Sequence, residues 1–140
     1  MSNLTISPAQ YFGPWYATRE AQNPVTQANC ENLLVMVNSL LVRAQEYGIE
    51  LVNNPATNSL ISGSRYGGFR PQNCPEGAPD SSHKIGAGVD VYDPEGFLDE
   101  YLTDDLLEQF RLYREHPGST RGWCHLTTRS PRSGRRSFYP

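Results

Sequence analysis

Over residues 26–47 the apolar side chains Leu33, Leu34, Val37, Leu40, Leu41 and Ala44 recur at three- and four-residue intervals. That spacing draws a stripe along one face of an α-helix. Thr26 is a candidate N-cap and Gly48 supplies a stop. A core-packing helix is therefore expected early in the chain. Beyond Gly48 the pattern breaks into short pieces. Residues 49–52 and 60–62 are strand candidates, and residues 62–87 read as a long irregular connection rich in Gly, Pro and Ser. A structureless stretch of that length within a compact domain is usually functional. Residues 88–92 read as a strand by valine alternation, and Asp93-Pro94-Glu95-Gly96 as a turn. Helical segments are expected over residues 97–102 and 103–113, the second with Asp104 and Asp105 suited to its positive N-terminus. Residues 123–128 form the last strand candidate. This order predicts an α+β domain with a short antiparallel sheet flanked by helices.

With 140 residues the chain fits one domain, able to bury a core without disulfide staples. Residues 1–25 are read as an irregular segment carrying Tyr11, Phe12, Trp15 and Tyr16. Residues 129–140 are read as a basic tail. Glycine and proline together number 23 and hydrophobic residues make up 37%, which implies many loops over a modest core. No apolar run approaches the roughly 18 residues that span a bilayer. A secretory signal is also missing from the first residues, which lack a basic region and an apolar stretch. Cys30, Cys74 and Cys124 show no Cys-x-x-Cys spacing, so they are expected to be reduced structural thiols. Net charge is −3, yet residues 121–140 hold five arginines and no acid. Aromatic groups are not interleaved through that tail, which argues against nucleic-acid binding.

The stretch Ser81-Ser82-His83-Lys84-Ile85-Gly86-Ala87-Gly88-Val89-Asp90 carries the most chemistry. In a strand over 88–92, Val89 and Val91 face one way and Asp90 the other, so the carboxylate is expected to point away from the core. His83 lies seven residues upstream, across a turn loosened by Gly86 and Gly88. In the last strand His125 shares a face with Trp123 and Thr127, which leaves Cys124 on the opposite face as a poor ligand. Two histidines and a carboxylate form a mixed nitrogen and oxygen set that suits Zn2+. Three protein ligands leave a position open for water, as catalytic zinc sites do. Two other readings fail. Ser81 and Ser82 lack a nucleophile elbow, and Asp90, Asp93 and Glu95 lack the alternation of an EF-hand.

Ser81-x-His83-x-x-Gly86-x-Gly88-x-Asp90 followed by Trp123-x-His125 resembles the signature of the zinc D-alanyl-D-alanine carboxypeptidase and L-alanyl-D-glutamate endopeptidase group. These peptidases are relatives of the hedgehog signalling domain. The resemblance extends over residues 26–140 to a phage-type branch, through Ser62-Gly63-Ser64-Arg65, Trp123-Cys124-His125-Leu126 and Ser133-Gly134-Arg135-Arg136. It implies a hedgehog-like peptidase fold with His83, Asp90 and His125 as zinc ligands. It further implies peptidoglycan stem peptides as substrate and an arginine that grips substrate near the metal. Arg65 matches one form of that arginine and Arg70 another. Arg70 is slightly favoured because it opens the loop leading to His83, and Ser81 joins the substrate-binding set. With no signal segment, the resemblance points to a phage virion, its lysis proteins, or host cytoplasm with delivery to the cell wall.

One position departs from the group's pattern. The acid that takes a proton in many of these peptidases lies three residues before the last histidine, where this chain has Gly122. Glu115 and His116 are the candidate replacements for that catalytic role. The departure also keeps open an inactive, zinc-binding virion or scaffold protein.

Overall fold

The computed structural model describes residues 3–78 and 80–140; Met1, Ser2 and Pro79, which belong to the N-terminal segment and the long connection, lie outside it. Helix α2 spans Pro24–Tyr47, preceded by a short α1 over Pro8–Phe12. Strand β1 (Gly88–Tyr92) is followed by α3 (Phe97–Tyr101), α4 (Asp104–Gln109), β2 (Tyr113–Glu115), β3 (Trp123–Thr127) and β4 (Ser137–Phe138). The strands form one four-stranded sheet in the order β1-β3-β2-β4. β1 and β2 both pair antiparallel with β3, while β2 and β4 run parallel. The domain is α+β as expected, but the sheet is mixed rather than purely antiparallel.

Helix α2 begins earlier than Thr26. The Asn23 side chain accepts the backbone N–H groups of Val25 (2.9 Å) and Thr26 (3.5 Å). Pro24 fills the first helical position, where a missing N–H costs nothing. Gly48 ends the helix in the left-handed region at φ 111°. Leu33, Val37, Leu40, Leu41 and Ala44 are fully buried, so the stripe read from the sequence is the core face. Val89, Val91, Cys124 and Leu126, from the back of the sheet, share one core with it.

The N-terminal segment is more ordered than its composition suggested. Ser7 and Gln10 form a reciprocal capping box around α1, which sends Tyr11 and Phe12 into the core. The chain before α1 is strapped to α2 by amide side chains. Asn38 accepts from the Ile6 N–H and donates to the Ile6 carbonyl, and Gln45 does the same for Leu4. These bonds span 32 to 41 residues, so no local pattern announces them.

Three expectations about elements need correction. Residues 49–52 form no strand, and near residues 60–62 there is only an isolated bridge between Ile61 and Val91. Helix α4 stops at Gln109 instead of continuing to residue 113. Arg111 takes a left-handed φ of 58° and the Leu112 N–H turns back to the Leu107 carbonyl at 2.9 Å. This is a Schellman-type stop built without the usual glycine, and it frees residues 113–115 to become β2. The basic tail contributes a strand that the sequence did not announce, since Ser137–Phe138 adds β4 beside β2.

All three cysteines are free and buried. Burial pushes the Cys30 thiol up to about 12, aided by the charge of Glu31. Cys124 is also raised by burial, with Asp99 adding to it. A thiol with a raised pKa stays protonated, and the thiolate is the reactive form. At pH 8 the native protein is expected to leave Cys30 and Cys124 unalkylated by iodoacetamide, with both modified once urea is added; peptide mass mapping reads the outcome. Replacement of the helix cap, Asn23→Ala, is expected to cost about 1 kcal/mol in urea unfolding.

Candidate metal centre

His83 lies in a 3-10 turn, Ser82–Ile85, whose N-cap is Ser81. The Ser81 hydroxyl accepts the His83 N–H at 3.2 Å, and Gly86, at φ 80°, turns the chain into β1. The His83 ring is fixed by a second contact, Nδ1 to the Gly68 carbonyl oxygen at 2.7 Å. A carbonyl only accepts, so Nδ1 carries a hydrogen and Nε2 is the nitrogen turned toward Asp90. Nε2 is 3.3 Å from Asp90 Oδ1. A ligating histidine is commonly oriented by such a bond from its other nitrogen.

Asp90 and His125 arrive by strand register. They are directly opposed in the β1/β3 pair, so their side chains share a face of the sheet. His125 Nδ1 lies 2.8 Å from Asp90 Oδ1. One ligand atom from each of His83, Asp90 and His125 lies within 4.8 Å of the others. The three residues form a buried group able to hold a metal ion. Four-coordinate zinc-like geometry separates neighbouring donors by about 3.3 Å. The His83 contact fits that spacing as it stands, and the His125 contact needs a small opening.

Asp90 is not open to solvent as strand alternation suggested. Only 9% of it is exposed, against 3% for His83 and 7% for His125. The sheet face is indeed turned from the core, but residues 60–70 fold back over it. Ser62 N–H bonds to the Asp90 carbonyl, Asp90 N–H to the Gly67 carbonyl, and Arg70 N–H to the His83 carbonyl. Glycines at 67 and 68 make this cover possible, because a Cβ would strike the Ser62 and Tyr11 carbonyl oxygens respectively. Burial alone would oppose ionisation of Asp90. The charges and hydrogen bonds of the two imidazoles outweigh it and hold the carboxyl well below the usual range.

Of the two candidate arginines, Arg70 is at the centre. Its Nη2 is 3.4 Å from Asp90 Oδ2, and its Nε donates to the Tyr66 carbonyl at 2.8 Å. A cleft of about 280 Å³ opens here, lined by Ser62, Tyr66, Arg70, Glu76, Asp90 and Trp123 among others. Arg65 lies on a different cleft with Gln10 and Pro14, and its guanidinium rests over the Tyr66 ring. The Ser81 hydroxyl is spent on the His83 N–H, so its place is behind the ligand and not in the cleft.

The proton-transfer candidates separate as cleanly. β2 pairs Tyr113 with Thr127 and Arg114 with Leu126, so the next step brings Glu115 opposite His125. Alternation then puts Glu115 on the metal face. Two neighbours agree. Phe138, the parallel partner of Glu115, meets the His125 ring edge-on at 6.4 Å. Arg114 points the other way, donating to the Asp99 carbonyl at 2.6 Å. His116 has a structural occupation instead. Its Nδ1 accepts the Gly118 N–H at 3.1 Å, and its ring stacks on Tyr139 with centroids 4.5 Å apart. Gly122, at φ 91°, occupies a backbone conformation that an acidic side chain rarely adopts.

No protein-family model, curated protein or solved structure matches the chain.

Sequence reasoning missed the polar support behind the sheet. Asp93 is no calcium ligand; its two carboxylate oxygens accept the Leu98 and Asp99 N–H groups and so start α3, where Gly96 has no side chain to do so. Asp99 in turn pairs with Arg114 at 3.4 Å. Cys124 lies in this core layer and not among the ligands, as alternation required. Among the described residues no helix is long and apolar enough to cross a membrane.

Equilibrium dialysis with elemental analysis should find one divalent ion per chain. His83→Ala or His125→Ala is expected to abolish uptake, while Cys124→Ser leaves the stoichiometry unchanged.

Proposed function

We propose that this chain is a zinc metallopeptidase that hydrolyses amide bonds in peptidoglycan stem peptides, of the D-alanyl-D-alanine carboxypeptidase or L-alanyl-D-glutamate endopeptidase type. We extend the reading to a hedgehog-like peptidase fold of the phage branch, acting from a virion or alongside lysis proteins. The observation that carries it is the convergence of His83, Asp90 and His125, of which Asp90 lines a cleft that also holds Arg70, with Glu115 on the sheet face of His125.

Two nitrogen donors and one oxygen donor suit zinc, and three protein ligands match the open coordination of catalytic sites. When bound, zinc supplies Lewis-acid polarisation of a carbonyl and a water-derived nucleophile near neutral pH. The remaining work falls to the chain. The Gly68 carbonyl keeps the His83 tautomer correct for ligation, and the Asp90 carboxylate is already ionised in its buried position. Arg70 is anchored through Nε and Nη2, which leaves a guanidinium nitrogen for a substrate carbonyl or carboxylate. Glu115 accepts a proton from the attacking water and returns it to the leaving amine, the role that Gly122 cannot fill.

Purified peptidoglycan fragments provide the assay, read as D-alanine release or as cleavage of the L-Ala to D-Glu bond. Glu115→Gln is expected to lower kcat by about a hundred- to ten-thousandfold with zinc content unchanged. Arg70→Ala should chiefly raise KM. Zinc-loaded protein that turns over neither fragment would defeat the enzymatic reading and favour a virion scaffold.

A further inference from the structure

The cleft at Arg70 and Asp90 contains a charge that the proposed reaction does not use. Glu76 lines its wall, and among the described residues no cation is ion-paired with its carboxylate. Its backbone is not loosely placed. The Glu76 N–H bonds to the sulfur of buried Cys74 at 3.4 Å. Gly77, at φ 78°, lies so close to Arg70 that a Cβ there would come within 2.5 Å of Nη1. Upstream, Lys84 Nζ donates to the Gln72 carbonyl at 3.0 Å, and the Gln72 N–H bonds to the Glu20 carboxylate at 2.8 Å. The segment carrying Glu76 is thus tied to the body of the domain upstream of the residue and passes close to Arg70 just after it.

Aromatic surface lies around the same cleft. Trp123 stands two positions before His125 on β3, so alternation turns its indole to the metal face, and Tyr66 lines the cleft as well. Trp15 stacks on the Tyr66 ring with centroids 6.0 Å apart and steadies it. A carboxylate and an aromatic ring lining one cleft can together recognise an ammonium group, through charge attraction and through the negative face of the ring. Arg70 offers the opposite charge in the same cleft.

We infer that Glu76 and Trp123 form a subsite for a primary ammonium group, so that the preferred substrate is a peptide with a free α-amine or a diamino-acid side chain beside the cleaved amide. The cleavage half of this statement rests on the peptidase reading; the ammonium subsite is a property of the cleft itself. Arg70 then orients the carbonyl or carboxylate end of the peptide while Glu76 selects its cationic end.

Three peptides of one sequence test it: one with a free α-amine and lysine, one Nα-acetylated with lysine, and one Nα-acetylated with norleucine in place of lysine. Binding to the zinc-free protein is followed by NMR at the Trp123 indole N–H, identified among the two indole signals with Trp15→Phe. At least one cationic peptide is expected to bind about tenfold more tightly than the neutral one. Comparison of the two cationic peptides shows which amine is read. Glu76→Gln should bring the ratio close to one, with an unchanged urea midpoint as the folding control. With zinc restored, the same substitution should reduce the cationic-to-neutral ratio of kcat/KM. If no peptide is cleaved, the hydrolytic reading falls and the binding ratio alone decides the subsite. Equal affinity for all three peptides, or a preference that survives Glu76→Gln, overturns the inference.

Discussion

The carboxylate of Asp90 is the point on which the rest of the structure turns. It meets His83 Nε2, His125 Nδ1 and Arg70 Nη2 within 3.4 Å, and it does so almost out of reach of water. A lone buried carboxylate is costly and would tend to protonate. Here the surrounding nitrogens reverse that tendency, and a charged oxygen is kept where a cation can bind. Removing any one of these partners leaves part of the charge uncompensated. The packing of the loop over β1 and the geometry of the centre are therefore the same problem.

The loop solves that problem with backbone rather than side chains. Residues 60–70 supply carbonyl and N–H groups to the outer edge of β1, which would otherwise be an unpaired strand edge. The same loop delivers the Gly68 carbonyl to His83 and Arg70 to Asp90. Its path passes so close to Tyr11 and Ser62 that glycine is required at 67 and 68. Tyr11 is itself anchored by its hydroxyl to the Gly88 carbonyl at 2.9 Å. The N-terminal segment thus buttresses the metal centre from behind the loop.

On the other side of His125 the support comes from the end of the chain. β4 pairs with β2, bringing Phe138 beside the His125 ring and leaving Glu115 on the same face. Arg114, one residue earlier, joins three elements through the Asp99 and Leu102 carbonyls and the Ser137 hydroxyl. β2 is only three residues long, and its orientation is held by this guanidinium as much as by its ladder. Glu115, seven residues before Gly122, lies on the strand next to β3 and shares the face of His125.

Much of the site was legible because it depends on short-range periodicity. A strand alternates its faces whatever surrounds it, so the separation of Asp90 from Val89 and Val91, and of His125 from Cys124, followed from sequence alone. The stripe on α2 was readable for the same reason, whereas His83 lies in a 3-10 turn that no such alternation orients. Tertiary structure decided everything that depends on long-range closure. Alternation gives a face but not its cover, so the burial of Asp90 became visible only with residues 60–70 folded over it. Arg65 and Arg70 lie five residues apart in one loop, and the path of that loop sends Arg70 to the carboxylate. Glu115 and His116 are adjacent, and only the pairing of β2 with β3 and β4 turns Glu115 toward the metal face. These choices are made by hydrogen bonds between residues far apart in the chain, whose partners no local pattern specifies.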